Sequence, residues 1–186
     1  MTSRRTILKG ATLVGTTSLL KSQQSPPTRT QVGFNIAPGK SRRGGPMMLR
    51  ENEPTTIKVS ASDTGGQLVI FEGTISQGNG PRLHKHHDQD EWWYVLDGEF
   101  IFQIGEEKFR AKLGASVFGP RGVPHSYLSV GNTAGRMIIG FQPAGRMEEF
   151  FLEFARVSTL GPDARLDSTP YGMENVGPRV MPDGVK

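Results

Sequence analysis

The sequence predicts an all-β domain, a sandwich or small barrel of many short strands, with one short helix near its C-terminal end. Three observations predict it. From about Met47 onward apolar residues recur with a period of two rather than 3.6. The runs are short and break at Gly and Asp clusters, as strands of sandwiches and barrels do. One segment changes period: Met147, Phe150, Phe151 and Phe154 fall at i, i+3, i+4 and i+7, a helical stripe.

Taken in order, the expected strands are 56–60, 67–75, 82–87, 91–96, 99–104, 108–112, 116–119, 125–130 and 136–141. Ile104-Gly105-Glu106-Glu107 reads as a hairpin turn between two of them. In the strand 91–96, Glu91, Trp93 and Val95 share one face, and Trp92, Tyr94 and Leu96 share the other. Both faces are apolar, which predicts cover on both sides: the barrel interior on one, and the N-terminal strand, the helix or a second subunit on the other. The helix is expected over 146–157, with Glu148 and Glu149 in its first turn and Arg156 in its last, matching the helix dipole. Residues 161–186 hold four prolines and four glycines and read as an extended tail on the surface.

The chain of 186 residues is long enough for one domain with extensions. Its net charge is +4 and its pI is near 9.6, but the charge is unevenly placed. Residues 1–46 carry eight basic side chains and no acidic one, which leaves residues 47–186 with 14 basic, 18 acidic and a net −4. The domain itself is mildly acidic, so a nucleic-acid partner is not expected. The absence of cysteine excludes disulfides, zinc ribbons, iron–sulfur clusters and a thiol nucleophile.

Ser3-Arg4-Arg5-Thr6-Ile7-Leu8-Lys9, followed by the uncharged stretch 10–20, resembles a twin-arginine export signal, with Ile7 where Phe is commonest. That implies an exported, periplasmic or otherwise extracytoplasmic protein. The apolar stretch is too short to span a bilayer, so no stable membrane insertion is expected. The expected organisation is a signal segment at 1–20, a basic linker at 21–46, a domain at 47–160 and the tail at 161–186.

Chemistry concentrates in the histidines. The chain has four: His84, His86, His87 and His125. In a strand, His84 and His86 project from the same face, while Lys85 and His87 face away. Glu91 follows the turn residues Asp88-Gln89-Asp90, which can bring it alongside that pair. His125 opens a later strand after Pro120-Arg121-Gly122-Val123-Pro124. Three imidazoles and one carboxylate would then converge, a set that binds one divalent first-row metal (Fe, Mn, Ni, Co, Cu or Zn) with coordination positions left open.

The spacing Gly78-x5-His84-x-His86-x4-Glu91-x6-Gly98 is similar to the first cupin motif at every fixed position, and Gly114-x5-Pro120-x-Gly122-x2-His125 is similar to the second. Ser129 stands where the second motif usually closes with Asn. The resemblance covers roughly residues 65–145. It implies an all-β cupin double-stranded β-barrel (jelly roll), with His84, His86, Glu91 and His125 as metal ligands.

Phe100, Phe102 and Ile104 alternate and are expected to face inward. Tyr127 shares parity with His125, and Phe118 lies on the adjoining strand. The interior near the metal should therefore be apolar and aromatic, which suits a flat or aromatic small molecule. Arg82 shares parity with His84 and His86 and is the candidate for pairing with an anionic substrate at the mouth. Arg82, Phe102, Phe118 and Tyr127 are thus the expected substrate-binding residues. The strand 92–98, Trp-Trp-Tyr-Val-Leu-Asp-Gly, and the turn Gly119-Pro-Arg-Gly-Val-Pro-His125 resemble single-domain relatives of quercetin 2,3-dioxygenase. That resemblance implies a metal-dependent dioxygenase, with Glu91 both ligand and general base. Two other readings stand beside it: a non-catalytic metal- or ligand-binding module, and a sugar isomerase or epimerase. The outer apolar face of strand 91–96 predicts a homodimer.

Overall fold

The computed structural model describes residues 28–161 and 164–183. The proposed export signal at 1–20 lies outside the described residues. Among the described residues eleven strands and one α-helix follow in chain order: β1 (Met47–Met48), β2 (Pro54–Val59), β3 (Val69–Ile75), β4 (His84–His86), β5 (Asp90–Asp97), β6 (Glu99–Ile104), β7 (Glu107–Lys112), β8 (Ser116–Gly119), β9 (His125–Ser129), β10 (Gly135–Gln142), α1 (Met147–Ser158) and β11 (Met173–Asn175). Every pairing is antiparallel. The strands form two facing sheets, in the orders β1-β2-β3-β10-β5-β8 and β11-β4-β9-β6-β7, which make a double-stranded β-barrel of jelly-roll type.

Local chemistry accounts for the elements. β3 alternates buried and half-buried residues along its length, as a strand with one face in the core must. The β6–β7 hairpin pairs Ile104 with Glu107 across a two-residue loop, with Gly105 at φ +59°, the positive φ that a primed turn demands. Trp93, Phe71, Phe100, Phe102 and Phe141 fill the space between the sheets and are fully buried.

α1 begins one residue later than the periodicity predicts and packs its aromatic stripe on the barrel. The Phe151 ring lies 4.5 Å from Phe71 and 6.0 Å from Phe141. Glu148 has a second role beside the helix dipole. Its Oε2 accepts hydrogen bonds from Ser60 Oγ and the Ala61 amide, both at 2.8 Å, which ties the helix to the 3-10 turn Ala61–Thr64. Among the described residues no helix is long and apolar enough to cross a membrane.

The flanking segments are more engaged than their composition implies. In the stretch expected to be linker, Arg42 grips Asp63 with two hydrogen bonds of 3.0 and 2.8 Å, and its amide donates to the Ile57 carbonyl at 2.7 Å. The tail is not merely laid on the surface. Residues 173–175 form β11, which pairs with β4, and Val180 is buried against Ile101 and Leu128.

Candidate metal centre

Three strands and one turn converge at one end of the barrel. β4 supplies His84 and His86, β5 opens with Asp90 and Glu91, and β9 opens with His125. Register brings them together. His84 pairs with His125 across β4 and β9, while Glu91 lies opposite Gly119 on β8 and Phe141 on β10. Each of the four side chains is no more than 5% exposed. Their potential ligand atoms all lie within 4.8 Å of one another. Glu91 Oε2 is 3.0 Å from His125 Nε2, 3.1 Å from His86 Nε2 and 4.0 Å from His84 Nε2.

The backbone sets the imidazole tautomers. His84 Nδ1 lies 2.8 Å from the Arg82 carbonyl, and His125 Nδ1 lies 3.0 Å from the Val123 carbonyl. A carbonyl only accepts, so in each neutral ring Nδ1 carries the proton and Nε2 presents a lone pair to the centre. Nitrogen and carboxylate lone pairs then face one another at hydrogen-bond distance, and a shared proton or a cation must lie between them. A divalent cation satisfies all four groups at once, so the residues present fit a metal. Burial, reinforced by the neighbouring His125, pushes the His84 pKa down to about 3, which keeps that imidazole neutral as a ligand must be. For Glu91 burial works against the charge, but the adjacent His125 and His86 imidazoles outweigh it and hold the carboxyl at about 2.

The wall is aromatic. Trp93 lies edge-on to His125 at 5.3 Å, and Phe141 lies 5.3 Å from His86. Phe102 and Tyr127 stand directly opposite each other on β6 and β9, with rings 5.6 Å apart, and Phe102 touches Trp93 at 5.3 Å. These two expected pocket residues form a layer beneath Trp93. A cavity of about 30 Å³ lies beside Tyr127, bounded by Gly73, Ile139 and Phe151, with room for about two waters.

Two expected substrate residues lie elsewhere. Phe118 is 56% exposed and sits opposite Trp92 on the outer face of the sheet. Val117 and Gly119 are the inward residues of β8. The phase of His125 and Tyr127 continues through Val117 and Gly119, so a place on the adjoining strand does not turn Phe118 inward. Arg82 precedes β4 instead of belonging to it, and its guanidinium is exposed, donating to the Gly177 carbonyl at 3.3 Å. Only its carbonyl serves the site, through His84. His87 is exposed, 3.7 Å from Glu174.

Gly119 was not singled out in the sequence. A Cβ there would meet Trp93 Cη2 at 2.9 Å and His125 Nδ1 at 3.3 Å, so glycine lets β8 approach the site. Its position just before Pro120 in the second motif is the signal that could have found it. Phe141 had no mark beyond strand periodicity.

Residues 71–141 match the Cupin_2 family, described as the cupin domain. An uncharacterized protein of Methanocaldococcus jannaschii is 33% identical over 68 residues, which cover 37% of this chain. The match spans about half of that relative, 54% of its length. Among solved structures, the chain is similar to a predicted oxalate decarboxylase of Thermotoga maritima, with 23% identity, a TM-score of 0.47, and 49% of this chain and 80% of that one covered. It is also similar to KdgF of a Halomonas species, with 20% identity, a TM-score of 0.46, and 50% and 81% covered. An RmlC-like cupin of Shewanella frigidimarina matches at 23% identity and a TM-score of 0.45, with 53% and 80% covered. Residues 71–141 are thus similar to a cupin domain, and they lie within the two facing sheets and hold the cluster of three histidines and one glutamate.

Proposed function

We propose that this protein is a metal-dependent oxygenase, of the quercetinase-like kind, acting on a small aromatic or enolic molecule. The observation that carries the reading is the convergence of three carbonyl-oriented or strand-held imidazoles and an ionised glutamate inside an aromatic wall. A bound divalent metal would supply Lewis acidity, lowering the pKa of a substrate hydroxyl, and a centre for redox chemistry with dioxygen. The chain supplies the rest. The carbonyls of Arg82 and Val123 hold His84 and His125 in the ligating tautomer. Glu91, charged throughout the neutral range, can accept the hydroxyl proton at a carboxylate oxygen. Trp93 and Phe141, both buried, pack against His125 and His86 and keep water from that side of the cluster. Arg82, the candidate for holding a sugar-phosphate group, is exposed and donates to the Gly177 carbonyl, which weighs against the isomerase reading.

Oxygen uptake by metal-loaded protein with a panel of flavonols, catechols and enolic acids tests the reading. Turnover that is lost in Glu91→Gln while the metal stays bound supports it. Absence of oxygen uptake with every loaded metal overturns it in favour of a non-catalytic binding module. We also propose export by the twin-arginine route and a homodimer formed through the open face of β5. Trp92 and Tyr94 on that face are each 37% exposed.

A further inference from the structure

β4 carries two of the four ligands and is only three residues long. Its pairing with β9 is registered at a single position, His84 with His125. Its other edge is covered along its whole length by β11, which places Met173 opposite His86, Glu174 opposite Lys85 and Asn175 opposite His84. The cover continues past both ends. The His87 amide donates to the Gly172 carbonyl at 2.9 Å, and the Leu83 amide donates to the Pro178 carbonyl at 3.1 Å. The amides of Val176 and Gly177 donate to the Leu83 carbonyl. Beyond that, Val180 is buried against Ile101 and Leu128, and its amide donates to Ser126 Oγ at 3.1 Å.

The histidines differ in what holds them. His84 and His125 are each fixed by a carbonyl at Nδ1, whereas the buried Nδ1 of His86 has no partner. With no carbonyl to hold it, the orientation of His86 rests on packing against Phe141 and His125 and on β4, which is itself held along one edge by β11. Gln89 is buried between Gly145 of the β10–α1 turn and Gly172 of the tail, and its side-chain oxygen has no hydrogen-bond partner. A buried oxygen without a hydrogen-bond partner opposes the packing around it, the tail's included. The tail thus borders both a strand that carries two ligands and a buried oxygen without a partner.

We propose that residues 168–180 are a strap that positions His86, and that seating of the strap and metal occupancy are coupled, each favouring the other. Such coupling is reciprocal by linkage: metal tightens the strap to the same extent that the strap tightens metal. The strap is thereby the element through which the chain controls loading and release of its metal. The proposal rests on the metal-binding reading of the site.

Hydrogen exchange on the full chain, stripped with chelator and then reloaded with nickel(II) or manganese(II), tests it. Loading slows exchange of the amides in 83–87 and 172–180 by tenfold or more, with little change in β6 and β7. Val180→Asp weakens metal binding at least tenfold while β6 and β7 keep their protection. Gln89→Met, which removes the orphaned carboxamide at similar volume, leaves the strap protected without metal and tightens metal binding severalfold. Metal binding with unaltered strap exchange, or wild-type affinity in both variants, overturns the strap while leaving the metal site intact. No binding of either metal overturns the metal-binding reading and the coupling with it. Should Val180→Asp fail to fold, exchange in the unmodified chain and the affinity of Gln89→Met decide between the same outcomes.

Discussion

Gly119→Ala puts a single methyl group where two buried rings meet. The added Cβ would lie 2.9 Å from Trp93 Cη2, 3.0 Å from Cζ3 and 3.3 Å from His125 Nδ1. Contacts this close cannot persist, and both neighbours are 1% exposed, so neither has free space to move into. Overpacking of this kind costs about 1–3 kcal/mol. For a chain of this size that lowers Tm by roughly 2–4 °C for each kcal/mol. The same push loosens His125 from the Val123 carbonyl, a 3.0 Å contact that sets its tautomer. Loss of such an orienting bond lowers metal affinity by about 10–100-fold. The assays are thermal unfolding of the metal-free variant and competition titration of its metal affinity. Trp93→Phe in the same chain removes the offending ring edge and should restore part of the affinity, a coupling that a double-mutant cycle measures. Wild-type stability and affinity in Gly119→Ala would refute the packing of β8 against the site.

Stability of the metal-free protein falls as pH is lowered. His84 takes up its proton near 6.5 when unfolded but only at about 3 when folded, so between those values the unfolded chain binds more protons. This group contributes a slope approaching about 1.4 kcal/mol per pH unit. Glu91 adds loss of the same sign below 4.5, its ordinary value, toward about 2. Urea midpoints in chelator at pH 7.5 and pH 5 check this, and a flat profile contradicts it. Ser129 Oγ is buried without a partner, so Ser129→Ala is neutral or stabilising by up to about 1 kcal/mol, and clear destabilisation in urea would show a hidden partner. Light scattering at micromolar protein gives a dimer mass that falls to the monomer in Trp92→Glu, whereas a monomeric wild type rules out the interface.

How far the sequence discloses this protein depends on whether a feature is local. His84, His86 and Glu91 were legible because side chains two apart in a strand share a face and only a short turn separates the two strands. His125 was legible because the motif counts residues across the turn 120–124. Phe118 shows that a place on a neighbouring strand is not enough: the alternation shared with His125 runs through Val117 and Gly119, and Gly119 lies opposite Glu91 while Phe118 faces out. Arg82 fails for a related reason, since β4 starts two residues later and the alternation does not reach back to it. β11 is too short for a period of two to register, and its existence depends on the open edge of β4. The segment 28–46 is held largely by polar contacts such as Arg42 with Asp63, which leave no hydrophobic pattern in the sequence. Gln89 and its neighbours belong to the same class, because their meeting is a product of the assembled barrel and tail.

Elemental analysis of native, tag-free protein, paired with the gain in thermal stability when stripped protein is reloaded, tests the centre most directly. The geometry of His84, His86, Glu91 and His125 predicts close to one divalent transition metal per chain. It also predicts a rise of several degrees in Tm on loading that vanishes in His86→Ala. Native protein without metal, and no shift in Tm with any of Mn, Fe, Co, Ni, Cu or Zn, would contradict it.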